Sequence, residues 1–480
     1  MPNPDFRPAL ELALRNALSH IDATDEARVS AALGAPALRA KFHRPLPDRG
    51  IAPDQVIAEL ARAAEGGLVR STSGRFFAWV IGGTLPAALA ADWLASAWDQ
   101  NAAAYACSPA AAVAEEVAGS WLKELFSLPS EAAFALVTGC QMAHVTCLAA
   151  ARHSLLERRG WDVEQRGLNG APPLRILTSP EHHATADRAV RLLGLGLSSV
   201  VDLPSDYHGR LKPDALESAL AAAPEAPTIV LLQAGDLNMG AFDDFSTLIP
   251  IARRYDAWVH IDGAFGLWAA TSASKRHLTA GVQQADSWAT DGHKWLNVPY
   301  DCGYAFVRNP DDLRATMTYH ASYVDPHESV REEVDWNPEW SRRARAFPTY
   351  AALLQLGRRG VEELIDRCCA HAHALVLRIG SLPGAEVVWL PTINQGLVRF
   401  LSPRANATPE DHDRYTDEVI ARILSDGVAF FGGVTWRGRR IMRVSVSNWQ
   451  TSESDVDRTV AAFARILSAD HPTAKSTATP

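Results

Sequence analysis

The 480-residue chain carries a net charge of -9, with 47% hydrophobic and 21% charged residues. This is the balance of a soluble globular protein, and it argues against a nucleic-acid-binding surface. No apolar run reaches eighteen residues, and the best candidate, 85–98, is broken by Asp92, so no membrane span is expected.

The length exceeds one typical core, so two large units plus an arm or small domain are expected. The start, Met1-Pro2-Asn3-Pro4-Asp5, lacks the basic and apolar segments of a signal peptide. The cysteines, Cys107, Cys140, Cys147, Cys302, Cys368 and Cys369, show no metal-type spacing. Reduced thiols in a cytoplasmic protein, and no metal, are the expectation.

Residues 1–84 read as an N-terminal helical arm, with amphipathic patterns at 8–18 and 55–64 and no run of strands. Toward its end, Arg75-Phe76-Phe77-Ala78-Trp79 precedes a Gly82-Gly83 turn. Residues 85–346 form the expected large domain. Strand-like runs at 133–138, 174–178, 199–203, 228–233, 258–262, 287–290 and 302–307 are interleaved with helical patterns at 185–193, 212–222 and 245–255. That alternation predicts an α/β fold with a seven-stranded, mostly parallel sheet whose ligands gather at the strands' carboxyl ends. Between 311 and 346 the middle lacks apolar periodicity and reads as a mobile loop. Residues 347–470 predict a smaller α+β C-terminal domain, and 471–480 a disordered polar tail.

Two segments carry the chemistry. Trp258-Val259-His260-Ile261-Asp262-Gly263-Ala264 is a buried strand ending in a carboxylate, and Asp291-Gly292-His293-Lys294-Trp295 supplies a lysine about thirty residues later. A carboxylate there needs a cationic or donor partner. A capped turn would serve, and so would a protonated pyridine nitrogen. The lysine is either an exposed charge or one that condenses with an aldehyde. An Asp and Lys paired on an α/β scaffold meet the needs of pyridoxal 5'-phosphate (PLP). Gly139-Cys140-Gln141, between a strand and a helix, offers free N–H groups to a phosphate. The absence of G-x-G-x-x-G and G-x-x-x-x-G-K counts against dinucleotides and nucleoside triphosphates. His183, past the strand at 174–178, suits stacking on a planar ring, with His182 its competitor. Tyr323, in the loop, offers a phenol proton or is a surface tyrosine.

In this order the residues resemble the group II PLP-dependent amino-acid decarboxylases, of the aromatic-L-amino-acid decarboxylase type, over 76–457. The resemblance rests on His260-Ile261-Asp262-Gly263-Ala264, on His293-Lys294-Trp295-Leu296 followed by Asp301-Cys302, on His183-Ala184-Thr185-Ala186-Asp187-Arg188-Ala189, and on Ser108-Pro109-Ala110. It implies PLP-dependent transferase fold type I and a homodimer with the site at the subunit interface. It further implies Lys294 as the cofactor lysine, Asp262 on the ring nitrogen, Ala264 on one ring face and His183, not His182, on the other. Tyr323, twenty-nine residues past Lys294, falls where the family has its catalytic loop tyrosine. Three positions depart from the family pattern: the phosphate turn itself, Asp236-Leu237 in a turn that usually carries threonines, and Asp291 where asparagine is usual.

The expected function is decarboxylation of an L-amino acid to its amine and CO2. Phe76, Phe77 and Trp79 suggest an aromatic substrate, and Asp236 a cationic one. Oxidative aldehyde synthesis, transamination or another lyase reaction are the alternatives on the same scaffold. A cofactor-binding module without turnover is more distant.

Overall fold

The structure is a computed structural model that describes residues 5–319 and 330–471. The N-terminal arm consists of α1 (Phe6–Asp22), α2 (Ala35–Phe42) and α3 (Pro53–Ala64). No residue of these three helices is buried. The arm is tied down between them instead. Val29 N–H donates to the Gly427 carbonyl, and Arg28 donates to the carbonyls of Leu424 and Ser425.

The large domain then runs α4 (Pro86–Trp98), α5 (Pro109–Leu125), β1 (Ala133–Val137), α6 (Cys140–Glu157), α7 (Val163–Arg166), β2 (Arg175–Thr178), α8 (Ala184–Leu192), β3 (Val200–Asp202), α9 (Pro213–Ala221), β4 (Thr228–Gln233), α10 (Phe245–Arg253), β5 (Trp258–Asp262), β6 (Ser287–Asp291), β7 (Gly303–Val307) and α11 (Pro310–Met317). Proline at the first helical position and Ser108 accepting the Ala111 N–H fix the start of α5. The seven strands form one sheet in the order β1-β7-β6-β5-β4-β2-β3. β7 is antiparallel to both neighbours, and the remaining pairs are parallel. Strands β1, β4, β5, β6 and β7 are buried throughout, so they read as continuous apolar runs rather than alternating ones.

A long helix, α12 (Ala346–Gly380), bends at Gly357 and crosses to the C-terminal unit. There β8 (Ala385–Trp389), β9 (Gln395–Phe400), α13 (Pro409–Asp426), β10 (Gly432–Trp436), β11 (Arg439–Ser445) and α14 (Glu453–Ser468) build a four-stranded antiparallel sheet, β10-β11-β9-β8, with helices packed against it. Capping boxes start α13 (Thr408 with Asp411) and α14 (Ser452 with Asp455).

The aromatic segment belongs to this region rather than to a pocket. Phe77 N–H donates to the Phe430 carbonyl and its own carbonyl accepts from Ser445 N–H. Phe76 stacks on Phe430, and Phe77 meets Phe431. Phe76 and Phe77 are therefore fully buried core residues, which corrects the expectation that they line a substrate pocket. Trp79 stays half exposed. The last nine residues, 472–480, fall outside the described range, and with them all of the expected tail except His471, whose N–H donates to the Leu467 carbonyl. No helix among the described residues is long and apolar enough to cross a membrane.

Candidate active site

Four strand ends converge. β5 ends at Asp262, β6 at Asp291 with Lys294 three residues on, β2 leads to His183, and β1 turns at Gly139 into α6. Since β1 and β6 both run antiparallel to β7, their carboxyl ends share one edge with those of β2 and β5. Gly303 pairs with Val137 on one side and Asp291 on the other. A Cβ at Gly303 would lie 2.5 Å from the Gly139 backbone, so only glycine lets the start of α6 close onto β7.

Asp262 is buried, yet ionised. Its Oδ1 accepts the Ala264 N–H at 3.1 Å and faces the Cys140 thiol at 3.9 Å, and its Oδ2 lies 3.5 Å from His144 Nε2. Burial favours the neutral acid, but His144, His183 and Lys294 outweigh it and hold the carboxyl well below its usual range. Burial, with Asp262 beside it, pushes the Cys140 thiol far up, which keeps it a thiol and no nucleophile.

Lys294 Nζ sits 3.1 Å from Asp291 Oδ2. Burial works against the ammonium, but Asp291 and Asp262 outweigh it and raise its pKa above that of an ordinary lysine. The other Asp291 oxygen accepts the Cys140 N–H at 2.6 Å, the first donor of α6. That helix has no side-chain cap, and among the described residues the next N–H groups, of Gln141 and Met142, have no acceptor. His293 Nδ1 accepts the Cys302 N–H at 3.2 Å, its Nε2 lies 3.5 Å from Asp291 Oδ1, and its ring stacks on Tyr300. Burial lowers its pKa, so the ring is neutral.

His183 caps α8, with Nδ1 2.7 Å from Thr185 Oγ. Burial lowers its pKa, with Asp262 opposing and Lys294, His144 and Arg443 adding to the effect. His182 is spent elsewhere, on the Ser179 carbonyl and Asp187, each at 2.9 Å. The structure thus gathers Gly139, Cys140, Gln141, His183, Asp262, Ala264, His293 and Lys294 at one edge. Tyr323 lies outside the described residues.

Asp236 does not offer an open carboxylate to a substrate. Its oxygens accept the N–H groups of Asn238, Met239 and Ala241 at 2.8, 3.0 and 2.7 Å, which makes it the brace of its own turn.

The sequence reading missed Arg443. It is 6% exposed and, among the described residues, its side chain makes no hydrogen bond or ion pair. Burial lowers its pKa to about 10, with Asp236 the opposing charge. An arginine between buried Met442 and Val444 in a strand was the available signal. Ser179 Oγ and Gln233 Nε2, at the ends of β2 and β4, are buried without partners among the described residues. Unspent donors at this edge, an ionised Asp262 and an uncapped helix together fit a planar, phosphorylated, nitrogen-bearing cofactor.

Residues 36–402 match the model of the pyridoxal-dependent decarboxylase conserved domain. Over 446 residues the chain is 25% identical to the aromatic-L-amino-acid decarboxylase of Bacillus atrophaeus, covering 92% of this chain and 90% of that one. It is 26% identical over 420 residues to the acidic amino acid decarboxylase GADL1 of Homo sapiens, covering 84% and 80%. In fold it is similar to the crystal structure of Oryza sativa TDC with PLP and tryptamine, with a TM-score of 0.89 at 24% identity, covering 97% and 99%.

Proposed function

Because the chain belongs to the pyridoxal-dependent decarboxylase family and is a PLP-dependent amino-acid carboxy-lyase, we propose that its substrate is an aromatic L-amino acid and that the edge built around Asp262 and Lys294 is its active site. The observation that carries the site is the buried, ionised Asp262 carboxylate within electrostatic reach of Lys294, next to the uncapped start of α6. The aromatic preference rests on the name of the Bacillus relative and on half-exposed Trp79.

In this reading Asp262 would hold the ring nitrogen, Lys294 the aldehyde carbon, and the N–H groups of Gly139, Cys140 and Gln141 the phosphate. His183 and Ala264 would flank the ring, and His293 would back the lysine turn. When bound, PLP supplies the sink for the electrons released as the bond to the carboxylate breaks. The protein's part is proton placement. Asp262 stays ionised and would keep a proton on a nitrogen that faces it, and burial lowers the His183 pKa. Tyr323 donates the proton that replaces CO2.

Arg443 favours a second reading, in which the substrate side chain is itself acidic. A largely buried guanidinium that makes no ion pair among the described residues gains when a carboxylate joins it.

The exposed apolar residues of α1, Phe6, Leu10, Leu14, Leu18 and Ile21, support a homodimer in which a second copy covers the arm. Free cysteines throughout the described residues support the cytoplasm.

The test is an amino-acid panel with CO2, amine, ammonia and peroxide measured in parallel, run beside Lys294→Ala and Tyr323→Phe. Amine and CO2 from aromatic substrates are expected. Lys294→Ala abolishes both, together with the visible absorbance of the bound cofactor; unchanged absorbance removes Lys294 from its role. Tyr323→Phe keeps the absorbance and slows amine release or diverts it toward aldehyde and peroxide. Undiminished amine output rules out its proton.

A further inference from the structure

Asp262 is the end of a row of buried polar groups drawn from three elements. His144 of α6 places Nδ1 2.9 Å from His260 Nε2 on β5. His260 Nδ1 lies 2.8 Å from Ser287 Oγ on β6, and the Trp258 indole N–H donates to the same oxygen at 2.9 Å. His144, His260 and Ser287 have no solvent exposure at all, so each polar atom must be satisfied inside the protein.

The two ends give the row a direction in which each polar atom is satisfied. An indole nitrogen only donates and a carboxylate only accepts. In that direction Ser287 Oγ accepts the Trp258 N–H and donates its own O–H to His260 Nδ1. His260 therefore carries its proton on Nε2 and donates it to His144 Nδ1. His144 in turn carries its proton on Nε2, which faces Asp262 Oδ2 and Cys140 Sγ at 3.5 Å each. With a neutral His144 the reverse direction would aim an unprotonated nitrogen at the carboxylate. In this assignment every link has one donor and one acceptor. Burial lowers the His260 pKa to about 3, in keeping with a neutral His260.

We propose that Trp258, Ser287, His260 and His144 form a one-way hydrogen-bond relay that presents an N–H to Asp262 Oδ2, which makes His144 and His260 positioning residues for the carboxylate that serves the cofactor ring nitrogen. This rests on the reading of Asp262 given above. With Ala264 N–H on one oxygen and His144 on the other, the carboxylate is held in one orientation. Each link of such a row polarises the next in a site closed to water. The relay also explains why a fully buried strand carries His260, whose ring reaches neither Lys294 nor the start of α6 by any hydrogen bond among the described residues.

The test uses the enzyme loaded with PLP labelled with 15N in the ring, in four forms: wild type, His144→Leu, His144→Asn and Ser287→Ala. Two quantities are read, the ring-nitrogen resonance and the cofactor dissociation constant from titration of the apo-enzyme. Wild type is expected to show a protonated ring. His144→Leu moves the resonance toward the unprotonated value and weakens cofactor binding about tenfold. His144→Asn, whose amide can both donate to Asp262 and accept from His260, stays close to wild type. Ser287→Ala, which leaves Asp262 and His144 in place, moves the resonance the same way by less. An unchanged resonance in His144→Leu or Ser287→Ala overturns the relay, as does an equal loss in the Leu and Asn variants. A wild-type protein that takes up PLP without a protonated ring overturns instead the reading of Asp262 on which the relay rests.

Discussion

Asp291 holds its Oδ1 2.6 Å from the backbone nitrogen of Cys140, so a carboxylate already rests on the first donor of the helix proposed to take the phosphate. Its charge is balanced by Lys294, 3.1 Å from the other oxygen. If Lys294 is spent on the aldehyde carbon, as proposed, that balance would change and a bound phosphate would bring a second anion to the same helix start.

Asp291→Asn keeps an oxygen for the Cys140 N–H and removes the negative charge. Apo-enzyme carrying it is expected to bind PLP and inorganic phosphate roughly tenfold more tightly, about 1.4 kcal/mol, as read by fluorescence titration. The Lys294 pKa should fall as well, because Asp291 is the largest influence raising it. Equal or weaker phosphate binding would mean that the carboxylate swings clear when the anion arrives.

A second pair acts on stability. Arg342 grips Glu115 through two nitrogens at 2.8 and 3.0 Å and donates to the carbonyls of Ala102 and Leu136. Neither side chain has any exposure. This pins the chain that follows residues 320–329 to α5 and β1. Arg342→Met alone strands a buried carboxylate and should cost about 3–5 kcal/mol in urea unfolding. Adding Glu115→Leu should recover most of that loss. If the double variant is no better than the single, the hydrogen bonds to the carbonyls, not the ion pair, hold this corner.

The strands and the Asp262–Lys294 pair were legible because buried parallel strands leave continuous apolar runs, and a carboxylate or lysine at the end of such a run stands out. Phe76 and Phe77 were misread because an aromatic cluster before Gly82-Gly83 has the same pattern in a pocket as in a core. Only the partners Phe430 and Phe431, more than 350 positions away, separate the two cases. Asp236 looked like a free acid because the N–H groups it caps belong to a turn whose conformation no periodicity announces. His144 and Arg443 were hidden for a related reason. Their meaning lies in contacts made across α6, β5 and the C-terminal sheet, which spacing along the chain does not encode.

The pH dependence of stability should report His260. Its pKa falls from 6.5 to about 3 on folding, so between those values the unfolded chain binds the extra proton. Stability from this group is full above pH 6.5 and is lost as the pH falls toward 3. Across that window the slope is about 1.4 kcal/mol per pH unit. His260→Asn should flatten the wild-type profile by about that amount in urea unfolding at several pH values. Parallel profiles would show that His260 is already protonated in the fold, and the relay direction would fall with it.

Arg443 decides between the two substrate readings. With an aromatic substrate, Arg443→Met removes a buried, lowered-pKa cation that the side chain does not use. KM should then change by less than about threefold, and the protein should unfold at equal or higher urea. With an acidic substrate, the same change deletes a charge-assisted hydrogen bond to the side-chain carboxylate, and kcat/KM should fall by about a hundredfold or more. Steady-state kinetics on one aromatic and one acidic amino acid, wild type against variant, read the difference directly. A selective loss on the acidic substrate alone would move the assignment away from aromatic amino acids.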